Sequence, residues 1–112
     1  MQVVVVVLNK PEYLEDVLSA FVENGISGAT VLDSQGLVKA MMQGKLKEVP
    51  IYGSLKSFLE DAYTFNKTIF TVIESEEKTE EIITAIRELM EKHNYASGGV
   101  LFSVPVTKLF KF

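Results

Sequence analysis

The residues of this chain best suited to binding an anion are the adjacent glycines Gly98 and Gly99, in the segment YASGGVLFSVPVTKLF. Backbone N–H groups left open by glycine can cradle a phosphate when a positive charge stands near. The same pair could instead serve only to turn the chain into the apolar strand that follows. His93 is the only histidine, between Lys92 and Asn94 at the end of an expected helix. It reads as a solvated side chain, because a metal site would need companions at ligand spacing. Glu76 and Glu77, then Glu80 and Glu81, are carboxylate pairs at a helix start, where the helix dipole accounts for them. A catalytic pair would be held in a pocket. There is no G-x-S-x-G elbow, no P-loop and no G-x-G-x-x-G. Cysteine is absent, which excludes a disulfide framework, a thiolate metal site and a cysteine nucleophile. These residues point away from an enzyme and require no metal or cofactor.

A second candidate is the stretch 35–53, QGLVKAMMQGKLKEVPIYG, with internal glycines and a proline and no periodic apolar face. It carries Lys39, Lys45 and Lys47 against a single acid, Glu48, with Met41, Met42 and Leu46 among them. A long loop of this kind suits docking of a protein partner or capture of a ligand. Equally, its methionines and Leu46 could fold back onto the core or onto a neighbouring subunit.

The elements that must position these residues follow from hydrophobic periodicity. The chain has 112 residues, 47% of them hydrophobic, and a net charge of −4. That suits one folded domain, 1–112, and does not invite nucleic acid. The apolar start at 3–8 is too short to span a membrane and lacks the flanks of a signal peptide, so a cytoplasmic location without membrane insertion is expected. Five successive valines read as a strand buried on both faces, within 2–8. Asn9 is the expected cap of the next helix, with Pro11 in its first turn. Leu14, Val17, Leu18, Phe21 and Val22 form its apolar stripe and Gly25 its stop. A second strand is expected over 27–33. After the loop, Ser54 caps a short helix, Asn66 and Lys67 make a turn, and 68–74 form a third strand. Ile82, Ile83, Ile86, Leu89 and Met90 mark a second long helix, and a fourth strand runs over about 100–106.

The order is that of an α+β, ferredoxin-like βαββαβ sandwich with an antiparallel sheet and an inserted short helix. Both long helices would cover one face of the sheet. The strands are apolar on both alternations, so the other face needs a cover as well, and further copies of the same chain are the economical one.

The segment LNKPEYLEDVLSAFVENGISGATVLDSQGL resembles the opening of the P-II nitrogen-regulatory signalling proteins. Lys10 and Pro11 match, Leu14 to Val17 match the family's LDDV closely, and Gly25, Gly28, Thr30, Val31 and Gly36 fall at the family spacing. SGGVLFSVPVTKLFKF resembles the closing GDGKIFVxxVxxxxRIR. The resemblance covers about 3–37 and 66–112. It implies a homotrimer with sheets facing inward, adenine nucleotides in clefts between subunits as small-molecule effectors, and a mobile loop that signals to a protein partner. Thr30 would then contact adenine, Gly36 would begin the mobile loop, and Gly98 and Gly99 would approach the phosphates. Val100 stands where the family has a phosphate-binding lysine. The family's GFGRQ is here Gly36-Leu37-Val38-Lys39-Ala40, so the glutamine of its 2-oxoglutarate and magnesium site is missing. Lys39 or Lys111, or a lysine of a neighbouring subunit, would have to supply the charge. A CutA-like metal-related trimer and an ACT-like amino-acid-binding module share the topology and are the alternatives.

Overall fold

A computed structural model describes residues 1–37, 66–94 and 98–112. The valine run forms β1 (Gln2–Leu8), which is central because it is apolar on both sides. A 3-10 turn (Pro11–Tyr13) leads into α1 (Leu14–Glu23), followed by β2 (Thr30–Ser34), β3 (Asn66–Ile73), α2 (Glu76–Lys92) and β4 (Gly99–Pro105). The sheet order is β2-β3-β1-β4, and every neighbouring pair is antiparallel. This is the expected ferredoxin-like arrangement. The expected short helix after Ser54 and all but the first three residues of the 35–53 loop lie outside the described residues.

The core lies between the helices and one face of the sheet. Val4, Val6, Leu8, Ile69 and Ile73 project from β1 and β3 into it and meet Val17 and Phe21 of α1 and Ile82 and Ile86 of α2. The helical stripes are those expected, with one correction. Val22 is 71% exposed, because its position on α1 carries it past the edge of the buried stripe.

Several boundaries differ from expectation for local reasons. Asn9 does not cap the first helical turn: Lys10 occupies the cap position without a side-chain cap bond. The Asn9 N–H instead donates to the carbonyl of Gly98 at 2.8 Å, tying the end of β1 to the start of β4. Gly25 does stop α1, at φ +80°. Its N–H donates to the Val22 carbonyl and that of Ile26 to the Phe21 carbonyl, the pair of bonds that closes a Schellman motif. β2 begins at Thr30, later than expected, because the carbonyl of Gly28 is taken by the buried hydroxyl of Thr71 at 2.5 Å. Asn66 and Lys67 belong to β3, where a turn was expected. They stand opposite Ser34 and Asp33, and Lys67 forms an ion pair with Asp33.

Ser75 caps α2, accepting from the Lys78 N–H at 2.9 Å. Ser75→Ala is therefore expected to lower stability by about 1 kcal/mol, read as a shift of the urea midpoint. A shift beyond about 2 kcal/mol would mean that Ser75 does more than cap the helix.

Candidate functional site

The face of the sheet turned away from the helices is built of three rows, read from the strand registers. Directly opposed residues of an antiparallel pair share a face. The first row is Val72, Val3 and Val104; the second is Thr30, Phe70, Val5 and Phe102; the third is Leu32, Thr68, Val7 and Val100. Leu32, Val72, Val100, Phe102 and Val104 are exposed, and Val3, Val5, Val7 and Phe70 are half-buried. Single exposed apolar side chains are ordinary, whereas a whole sheet face of them marks an interaction surface.

Gly98 and Gly99 sit at the end of the sheet where β1 finishes. Gly99 stands opposite Leu8 with φ at +154°, a conformation that side chains disfavour. A Cβ there would overlap the carbonyl oxygen of Val7 and lie 2.9 Å from its carbonyl carbon. Gly99 is thus a glycine because β4 passes hard against the backbone of β1. This local role accounts for the second glycine of the pair without a ligand.

Gly36 follows β2, and a Cβ on it would stand 3.2 Å from the Asn66 side chain. Because Ser34 pairs with Asn66 and Leu8 pairs with both Lys67 and Gly99, Gly36 lies at the same end of the sheet as the glycine pair. The two lie beside opposite edge strands, however. Three strand spacings, or about 14 Å, separate β2 from β4. Thr30 is exposed at the start of the edge strand β2, opposite Phe70. Lys111 is placed elsewhere: it pairs with Glu74 at 3.2 Å, beyond the end of β3 and at the opposite end of the sheet from the glycines. Within one chain Lys111 therefore does not serve them. Lys39, Met41, Met42, Lys45 and Lys47 lie outside the described residues.

Two cations that the sequence does not single out for a site lie at the glycine end of the sheet: Arg87, which lines a cavity together with Gly98 and Gly99, and Lys10. The Asn9–Gly98 backbone bond brings the next residue, Lys10, alongside the glycine pair. Lys10 is exposed. The long-range bond that places it there has no local sequence signal. Val100 is 60% exposed on the bare face, so it does not belong to the core beneath the helices. Among the described residues no cluster of three or more His, Asp or Glu side chains is arranged to hold a metal ion. No helix there is long and apolar enough to cross a membrane.

These features define a ferredoxin-like domain with one sheet face that is apolar and not covered by any of the described elements, and with paired glycines at the end of that sheet. The family of the nitrogen regulatory protein P-II matches residues 1–111, and the chain belongs to that family. No sequence among curated proteins matches it. Members of the P-II family are regulatory proteins without catalytic function, and this chain is accordingly a regulatory protein rather than an enzyme.

Proposed function

We propose that three copies of this chain assemble through their bare sheet faces and sense a small molecule, with an adenine nucleotide as the first candidate, in the clefts between them. The observation that carries this reading is the apolar face centred on Val5, Phe70 and Phe102. Assembly offers that face a cover. It also offers a way to unite the candidate ligand residues, because Gly36 and the glycine pair flank opposite edges of one sheet and two copies could supply one edge each. The loop at 35–53, with Lys39, Met41, Met42, Lys45 and Lys47, would carry the signal to a protein partner. Sedimentation equilibrium at micromolar concentration is expected to give a particle three times the 12.5 kDa chain mass. A stable monomer would overturn the assembly.

For the ligand, Lys10, next in the chain to the Asn9–Gly98 bond, would supply the charge, since position 100 is valine. The missing lysine is expected to weaken ATP binding relative to P-II proteins that carry it. A charge-assisted bond to phosphate is worth roughly 1.5–3 kcal/mol, or on the order of tenfold to a hundredfold in affinity. Provided that position 100, at the glycine end of the bare face, opens into the cleft when the copies assemble, Val100→Lys should recover part of that in calorimetry with ATP, at an unchanged melting temperature. Unchanged binding with a lower melting temperature would show that Val100 is interface packing, and the nucleotide site would then be abandoned.

A further inference from the structure

A cavity of about 300 Å³ lies on the other side of the sheet, between α2 and the β1–β4 pair. Its walls are the aliphatic side chains of Val6, Leu8, Ile86, Met90 and Leu101, and it passes behind the backbone at Gly98 and Gly99. Two charged side chains line it as well, Arg87 and Glu91 of α2. Arg87 is the single arginine of the chain. Both it and Glu91 are exposed. They are four residues apart on one helix, which puts them side by side, yet they are not among the ion pairs of the described residues. A planar guanidinium is the side chain best matched to a carboxylate, and a glutamate carboxylate accepts from an ammonium group. A pocket at the small end of the usual range suits a compact ligand.

We infer that this cavity binds a free α-amino acid with an aliphatic side chain. Its carboxylate would meet Arg87, its ammonium Glu91, and its side chain would lie against the half-buried Met90 and Leu101, with the buried Leu8 and Ile86 beneath them. Opposite charges four residues apart at the rim of an apolar pocket complement a zwitterion better than an anion, which Glu91 would repel. The site lies within one chain on the helix side of the sheet. It needs no assembly, although it shares Gly98 and Gly99 with the proposed nucleotide site.

The test is calorimetry of the full chain with L-leucine, L-valine and L-methionine, alongside 4-methylpentanoate, which lacks the ammonium group, and isopentylamine, which lacks the carboxylate. At least one amino acid is expected to bind, and both truncated probes at least tenfold more weakly. Arg87→Gln, on an exposed residue, should keep the melting temperature and weaken binding at least tenfold. Glu91→Gln should weaken the amino acid but not 4-methylpentanoate. Absence of binding by all three amino acids at millimolar concentration would overturn the inference. So would equal affinity for 4-methylpentanoate, which would make the site one for plain carboxylates, or undiminished binding in Arg87→Gln. Binding of leucine by a protein that sediments as a monomer would support this site while sinking the trimer, so the two readings fail separately.

Discussion

Gly99→Ala is expected to lower the stability of the protein by about 3–4 kcal/mol. Two costs add. The backbone at φ +154° is strained for any residue with a Cβ, at about 1–3 kcal/mol. The new methyl group must also displace the carbonyl of Val7, which belongs to the central strand of the sheet. That carbonyl cannot swing away freely, because β1 is paired on both sides, to β3 and to β4. Against a total stability of about 5–15 kcal/mol, the loss is a large fraction. Urea denaturation followed by circular dichroism should show a strongly lowered midpoint with little change in slope. An unchanged midpoint would sink the structural account of Gly99 and leave a phosphate as the reason for a glycine there. A lowered midpoint leaves Gly98 and Lys10 as the features of this end still open to a ligand.

Phe102→Glu should dissociate the proposed trimer while leaving the fold of each chain in place. Phe102 stands opposite Val5 in the middle row of the bare face and is 44% exposed in the single chain. The substitution therefore costs the isolated chain little. In an assembly the carboxylate would be buried without a partner, at about 3 kcal/mol or more for each copy. Repeated in three copies, this lowers the association constant on the order of a millionfold. Sedimentation of the variant should give one chain mass with an unchanged far-ultraviolet spectrum. A variant that still sediments as three chains would show that some other surface holds the copies together.

The element order, the antiparallel sheet and the helical stripes were legible in the sequence because each rests on local periodicity. Alternation of side chains makes a strand of the valine run whatever it pairs with. The 3.6-residue spacing of Ile82, Ile86 and Met90 does the same for α2. The need for a second cover could be read as well, since valine and phenylalanine occur on both alternations. The family resemblance was also legible, in the spacing of Gly25, Gly28, Thr30 and Gly36, and it is borne out by the match over residues 1–111.

Only the tertiary structure decided how the candidate residues are distributed. Nothing local indicates that Asn9 would spend its N–H on Gly98 and bring Lys10 alongside the glycines. The ion pair of Lys111 with Glu74 joins residues far apart in the chain, so within one chain Lys111 lies at the end of the sheet opposite the glycines. Position 99 is glycine because of Val7, more than ninety residues earlier in the sequence. Periodicity tells which face of an element is apolar, since that depends on a residue and its near neighbours. It does not tell which two elements touch, because strand order and register are fixed by packing between segments distant in sequence. Whether a glycine makes room for a phosphate or for another strand's backbone depends on that packing.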